Sequence, residues 1–386
     1  MKKAKVFLML SGGVDSSVAA MLLLRQGYDV VGVYFKRYKP DGDDSVCKSD
    51  GKSAKQICEQ LKIPFKVYDL QKEYKEKVFD YLIDSYRKGI TPNPDIVCNR
   101  EIKFGEFARR AFNDGADYIA SGHYANLCAY VKFLGFYLPL PVSLARHLPN
   151  SRFSLKEARD KNKDQSYFLS QVPDAVLKRT LFPLAKLKKH EVRQIAEHEG
   201  LHTASRKESQ GICFIGKEIN IKEFLKRYIQ TKAGDLLDTE GKKIGEHDGV
   251  QFYTIGERRG FRLLPEFQSE HTPALFVVSK DIKHNTITVA TKETFLKINE
   301  RNTRLVLRNL NFFQPAEPVK TYSLRIRHRG QKTRCAILVF NKEKAVIELQ
   351  DSKPYAPAVG QFATLYDDSS CVVASGEIVK IVSQKE

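Results

Sequence analysis

The chain of 386 residues carries a few short stretches whose residue types and spacing could do chemistry. Near the N-terminus stand Ser11-Gly12-Gly13-Val14-Asp15-Ser16-Ser17, between a short apolar run (residues 5–10) and Val14, Val18, Met21 and Leu22 at helical spacing. This reads as strand, glycine turn and helix N-terminus, in which free N–H groups and serine hydroxyls converge on an anion. A phosphate is the natural guest. No Lys-Ser/Thr follows the glycines and Gly-x-Gly-x-x-Gly is absent, which excludes two common phosphate loops. Thr91-Pro92-Asn93-Pro94-Asp95-Ile96-Val97-Cys98-Asn99 forces an extended turn through two X-Pro steps. Cys98 is then expected just before or at a helix N-terminus, where the dipole and nearby Lys/Arg favour thiolate, with Asp95 sharing its pocket. A purely structural cysteine fits the same local pattern. Ser121-Gly122-His123-Tyr124 ends another short strand; Gly122 permits close backbone approach, and His123 reads equally as a satisfied structural histidine. Cys213, in Gly211-Ile212-Cys213-Phe214-Ile215-Gly216, reads locally as a buried cysteine in a short strand.

The elements that must position these residues alternate strand and helix over the first half. Strands are expected at 5–10, 29–35, 65–68 and 118–120, and helices carry Ala54, Ile57, Cys58 and Leu61, then Val78, Phe79, Leu82, Ile83 and Tyr86. A polar loop is expected over 39–51. This order implies right-handed crossovers and a doubly wound parallel sheet whose ligands bind at the carboxyl ends of its strands. The apolar 131–141 run, broken by prolines, reads as a loop or short hairpin. Residues 161–167 open a short helix at Phe168-Leu169, and 186–199 is basic and helical. Past Gly216 the alternation stops. One helix is expected at 221–228 and a turn-like segment at 234–260; short strands follow near 274–279, 286–290, 323–327 and 336–340, as in an antiparallel barrel. The expected domains are 1–216, a small central unit at 217–290 and a barrel at 291–386.

Lys and Arg number 64 against 46 acids, a net charge of +18, more than solubility requires; this points to a polyanion, with nucleic acid first. The seven cysteines are odd in number, scattered and never Cys-x-x-Cys, which argues against a disulfide framework or a zinc site. No apolar run reaches membrane-spanning length and no targeting segment is read ahead of the first strand, so a cytoplasmic protein with no membrane partner is expected.

Ser-Gly-Gly-x-Asp-Ser resembles the loop of the ATP-pyrophosphatase (adenine nucleotide α-hydrolase-like) superfamily, in which it holds pyrophosphate and Asp15 would help bind Mg²⁺. Together with Thr-Pro-Asn-Pro-Asp-x-x-Cys-Asn, Ser-Gly-His-Tyr, Asn-Lys-Asp-Gln-Ser-Tyr-Phe-Leu, Gly-Ile-Cys-Phe-Ile-Gly and Gly-Glu-His-x-Gly, nearly the whole chain resembles the tRNA-specific 2-thiouridylases. The resemblance implies ATP-dependent 2-thiolation of the wobble uridine (position 34) in tRNAs for Lys, Glu and Gln, with sulfur from a cysteine desulfurase or a sulfur-relay protein. It assigns Met9, Leu10, Ser11, Gly12, Gly13, Val14, Asp15, Ser16, Phe35 and Gly122 to ATP. Cys213 would carry a persulfide and Cys98 would attack it, releasing sulfide or leaving a Cys98–Cys213 disulfide, with Asp95 as general acid/base. Asn93, Pro94 and Asp95 would touch the flipped base, and Lys163, Asp164, Gln165, Arg327 and His328 would contact tRNA. The 124–163 segment is longer than the family commonly shows, and Phe35 and His328 stand where other side chains are usual. Another adenylating synthetase, or a non-catalytic tRNA-binding protein, is the rival reading.

Overall fold

The computed structural model describes residues 3–40, 42, 45–133, 136–206, 220–269, 272–299, 303–314, 320–351 and 356–383. Strands β1 (Lys5–Met9), β2 (Asp29–Lys36), β3 (Phe65–Asp69), β4 (Tyr118–Ala120) and β8 (Thr180–Leu181) form one parallel sheet in the order β3-β2-β1-β4-β8. Near-continuous apolar runs build it: Val6, Phe7, Leu8, Val33 and Ile119 are all fully buried, as a sheet covered on both faces requires. The chain leaves β1 toward β2 on one side and returns to β4 on the other. The strand order therefore reverses at β1/β4, and the crevice above that point is where such sheets take ligands.

Helix α1 (Val14–Arg25) buries Val14, Val18 and Met21, the face expected from its spacing. Helix α2 (Ser45–Gln60) starts inside the expected 39–51 loop. The local Asp/Gly content is overridden because Asp50, Ser53, Ala54 and Ile57 all have buried positions against the sheet and the glycine turn. Two long helical runs follow, α3 over 71–87 and α4 over 94–113, each interrupted by π-helical turns, Lys75–Phe79 in α3 and Cys98–Glu106 in α4.

The 126–156 insertion is an antiparallel sheet: β5 (Asn126–Phe133) pairs with both β6 (Phe136–Leu140) and β7 (Ser151–Lys156). Its β5–β6 portion is the expected hairpin, with Pro139 on the edge strand β6 and Pro141 just past its end. Cys128 on β5 pairs with Cys371, 243 residues away, a link the sequence reading did not assign. Helices α5 (Ser166–Leu169) and α6 (Lys189–His198) follow β7, and α7 (Ile221–Lys226) opens the central unit.

That unit is one sheet: the strands expected near 274–279 and 286–290 are present, and 234–260, expected to be turn-like, adds strands of its own. Strands β9 (Gly234–Leu237), β10 (Lys243–His247), β11 (Phe261–Leu263), β12 (Leu275–Asp281) and β13 (Thr286–Thr291) run in the order β11-β10-β9-β13-β12. Glycines here serve close strand contacts as well as turns: a Cβ on Gly245 would lie 2.2 Å from the Arg262 carbonyl oxygen across the ladder. Finally β14 (Thr303–Phe312), β15 (Thr321–Arg325), β16 (Thr333–Phe340), β17 (Ala345–Leu349), β18 (Phe362–Tyr366) and β19 (Val372–Ser383) close an antiparallel barrel around Leu305, Leu324, Ile347 and Ile378.

The barrel is fastened to the first unit by buried charge. Arg325 donates to Asp164 at 3.0 Å and Glu157 at 2.9 Å, and Lys332 reaches Glu157 at 2.8 Å. Burial pushes Glu157 up, but hydrogen bonds from Lys332 and Lys161 and the charges of Lys332 and Arg325 more than reverse this, leaving it below the usual range. Replacing Arg325 by Met leaves the buried Asp164 without its cation and removes one of three from Glu157, and is expected to cost about 3–5 kcal/mol, against about 0–1 kcal/mol for Arg334→Ala at the exposed Arg334–Asp351 pair. Chemical denaturation of both variants checks this. Because a depressed carboxylate stabilises above its unfolded pKa and loses that contribution as pH falls through the folded value, the Glu157 contribution should be complete at neutral pH and vanish only below about pH 4.

Candidate active site

The glycine turn follows β1 at the β1/β4 switch point. Gly12 takes φ +75°, and a Cβ there would fall 2.5 Å from the Asp50 carbonyl oxygen, so glycine alone fits. Gly13 caps α1 without a side-chain bond. Ser17 N–H is bonded to the Gly13 carbonyl at 3.2 Å, and the N–H groups ahead of it in the first turn are those a helix leaves open for an anion. Not all the hydroxyls converge outward, however. Ser16 and Ser17 both donate back to the Gly13 carbonyl at 3.0 Å, and Ser17 is fully buried. Met9, Leu10 and Val14 likewise turn their side chains into the core and offer only backbone to a ligand. Phe35 ends β2 beside the turn, half-buried against Phe107.

Cations surround this turn. Arg206 donates to the Gly12 carbonyl at 2.6 Å and to Asp50 at 2.6 Å, and Asp50 also pairs with Arg37 at 3.0 Å. Lys189, the first residue of α6, pairs with Asp15 at 2.7 Å, and the Tyr124 hydroxyl donates to the same carboxylate at 2.7 Å. Asp15 thus has two partners of its own. Among the described residues no cluster of three His, Cys, Asp or Glu side chains is placed to hold a metal. Arg37, Asp50, Lys189 and Arg206 were not legible as site residues: each lies in an unremarkable charged stretch, and only the fold brings them to the turn.

Helix α4 carries the second part of the site. Asn93 caps it, accepting from the Ile96 N–H at 3.2 Å. Asp95 occupies the first turn. Cys98 lies further in, where the helix widens into its π turns, and is only 6 % exposed, so the expected position at or before the N-terminus is corrected. Burial raises the Asp95 pKa, opposed by the charge of Lys103. Asn99 donates to the Phe168 carbonyl at 3.1 Å, while its own amide oxygen is buried without a hydrogen bond among the described residues.

The run after β4 joins the two parts. A Cβ on Gly122 would lie 2.9 Å from the Ser16 nitrogen and 3.0 Å from the Asp15 carbonyl carbon: the close approach is to the turn itself. Its neighbour His123 meets Lys103 at 3.3 Å through Nε2 and Ser121 at 2.8 Å through Nδ1. Burial, then the Lys103 charge, pushes His123 far below its ordinary pKa, so the ring is neutral, with Nδ1–H donating to Ser121 and Nε2 accepting from Lys103. Tyr124 reaches Asp15. One tetrapeptide therefore spans from the anion turn to the Asp95/Cys98 helix.

The residues expected at tRNA are brought to the seam between the first unit and the barrel, but not all present themselves. Gln361 of the barrel donates to the carbonyls of Thr91 and Pro92 at 2.8 and 3.0 Å, beside Asn93. A cavity of about 330 Å³ opens there between Thr91, Thr254, Arg327 and Gln361. Arg327 is exposed, and His328 stacks on Phe168 at 4.3 Å. Lys163 is half-buried. Asp164 and Gln165 are corrected: Asp164 is 2 % exposed, with its carboxylate bonded to Arg325, Ser166 and the Ala158 N–H, and Gln165 accepts from the Tyr124 N–H at 2.9 Å. Arg325, two residues before Arg327, turns inward to Asp164 and Glu157. Cys213 lies outside the described residues.

Residues 4–217 match the tRNA methyl transferase HUP domain, 222–291 the tRNA methyl transferase PRC-barrel domain and 302–378 the aminomethyltransferase β-barrel domain. The chain is 37 % identical over 388 residues to the tRNA-specific 2-thiouridylase MnmA 1 of Geobacillus kaustophilus, covering 99 % of this chain and 98 % of the relative. It is 37 % identical to the tRNA-specific 2-thiouridylase MnmA of Streptococcus sanguinis over 96 % of this chain and 94 % of the relative. The corresponding figures for the MnmA of Lactococcus lactis are 38 %, 96 % and 93 %.

The geometry of the turn makes two substitutions informative. Gly12→Ala forces a left-handed residue against the α2 backbone, and Gly122→Ala pushes on the first turn of α1. Each is expected to weaken ATP binding by more than about tenfold, a loss of more than about 1.4 kcal/mol, in isothermal titration calorimetry. Gly27→Ala meets no atom within 4 Å and costs only its φ of +85°, so ATP affinity should be unchanged.

Proposed function

Because the chain belongs to the tRNA-specific 2-thiouridylase family, an enzyme family, we propose that it replaces O2 of the wobble uridine of tRNA by sulfur, in the tRNAs for Lys, Glu and Gln. The uracil C2 oxygen is a poor leaving group. Attack of that oxygen on the α-phosphorus of ATP releases pyrophosphate and leaves an O-adenylate, from which AMP can depart. The first-turn N–H groups of α1 and the cations around the turn are positioned for the phosphates, with Phe35 and Gly122 on the adenosine side. Mg²⁺ would come with the triphosphate, near Asp15, whose carboxylate is already shared by Lys189 and Tyr124.

Sulfur arrives as a Cys213 persulfide loaded by a cysteine desulfurase or a sulfur-relay protein. The Cys98 thiolate attacks the Cys213 sulfur of that persulfide, forming a Cys98–Cys213 disulfide and expelling hydrosulfide. Hydrosulfide adds to C2, AMP leaves, and a thiol reductant restores both cysteines. Asp95, desolvated beside the expected base, takes and returns the proton.

The observation that carries the reading is the 121–124 run, which puts Gly122 and Tyr124 on the nucleotide turn and His123 on the helix of Asp95 and Cys98. Asn93, Lys163, Arg327 and His328 at the barrel seam are proposed contacts for the anticodon arm. The domain limits 1–216, 217–290 and 291–386 are proposed as the catalytic, central and tRNA-holding units. Among the described residues no helix is long and apolar enough to cross a membrane, and a cytoplasmic site of action is proposed with the tRNA substrate.

Cys98→Ser and Cys213→Ser are each expected to abolish 2-thiouridine, at least 10³-fold by nucleoside mass spectrometry after incubation with tRNA, ATP, cysteine and a cysteine desulfurase, while still releasing pyrophosphate. Asp95→Asn should lower the rate by about 10²–10⁴-fold. Full thiolation by both serine variants would sink the sulfur-relay account.

A further inference from the structure

Lys103 has no role in the resemblance, yet the fold places it between the two halves of the site. On a regular α-helix, positions 95 and 103 differ by roughly 80° around the axis. Here α4 runs as a π-helix over Cys98–Glu106, with the Phe107 N–H bonded five residues back to the Ile102 carbonyl. The wider turn swings position 103 back toward the face of Asp95. Asn99, whose buried amide oxygen lacks a hydrogen bond among the described residues, falls on the same side between them. The ammonium does not point at random: it donates to the neutral His123 ring at 3.3 Å, and that ring is fixed by Ser121 at 2.8 Å. Phe104 packs beside the same ring with centroids 5.8 Å apart.

We infer that Lys103, held by His123 on the face of α4 that carries Asp95, is a positioning residue for the thiolation whose charge keeps the Asp95 carboxylate ionised. The inference rests on the role proposed for Asp95. Desolvation moves this half-buried carboxylate toward its protonated form, which cannot accept a proton; the positive charge of Lys103 counters that drift. Other charges near this turn are already engaged. Lys75 pairs with Asp80, Lys77 with Glu101 at 3.9 Å and Arg100 with Glu101 at 2.7 Å; Glu76 lies on the same π turn of α3 as Lys75 and Lys77. A neutral histidine suits the task, because it accepts from the ammonium without adding a competing positive charge.

The test titrates Asp95 directly, by ¹³C carboxyl NMR assigned with Asp95→Asn, alongside the pH profile of kcat/KM for thiolation. Removing the ammonium raises the Asp95 pKa, so Lys103→Met should move both the NMR midpoint and the acid limb up by about one pH unit. Lys103→Arg should restore both toward wild type, and His123→Gln should give a smaller shift in the same direction. An unmoved midpoint in a folded Lys103→Met protein overturns the inference, whatever its activity. A midpoint that moves in Lys103→Met, while the wild-type protein thiolates no tRNA, would instead overturn the proposed function.

Discussion

A buried guanidinium does more than any other group to set this architecture. Arg325, from the barrel, enters between Glu157 and Asp164 of the first unit, and Lys332 completes the charge balance. Such a cluster is weak evidence for stability in itself, because desolvation offsets most of the attraction. What it does impose is geometry, since the barrel must sit where Arg325 and Lys332 meet those carboxylates. The segment 157–168 that supplies them is consequently pinned along its length. Gln165 holds Tyr124, the Tyr167 hydroxyl donates to the Ile326 and Phe362 carbonyls at 3.1 Å, and the Phe168 carbonyl takes Asn99 of α4.

From that hub the active site is held on both sides. Through Tyr124 it reaches Asp15 and the nucleotide turn; through Asn99 it reaches the helix of Asp95 and Cys98. The barrel adds Gln361 to the proline turn, and the central sheet adds Lys280, whose ammonium caps the Gly89 carbonyl at 2.8 Å, and Thr254, bonded to Thr91 at 2.9 Å. Burial lowers Lys280 to about 8, the cost of placing an ammonium at that junction. All three units thus converge on residues 89–99, where the base is proposed to sit. The Cys128–Cys371 link adds a covalent tie between the insertion and the barrel.

Local sequence carried much of this. The Ser-Gly-Gly turn was legible because glycine, strand and helix signals coincide within a few residues, and α1 buries the face its spacing requires. Charged residues were not legible, because a lysine or aspartate in a polar stretch has the same appearance whether solvated or paired in the interior. Asp164 was expected at tRNA and is internal, paired with Arg325, 161 residues away in sequence. Lys103 escaped for a different reason: the expected 3.6-residue period turns it away from Asp95, and only the π turns bring it back. The 234–260 sheet hid behind glycines that serve close strand packing. For Cys213 the motif speaks and the described residues do not include it.

The central claim, that the nucleotide turn and the sulfur-handling helix act on one base, is tested most directly by oxygen tracing. An anticodon-arm RNA carrying ¹⁸O at uridine O2 would be incubated with unlabelled ATP, the sulfur donor and the enzyme, and the products weighed by mass spectrometry. The account predicts one ¹⁸O in AMP for each 2-thiouridine formed, and none in pyrophosphate. Label appearing in water or pyrophosphate, with AMP unlabelled, would contradict it.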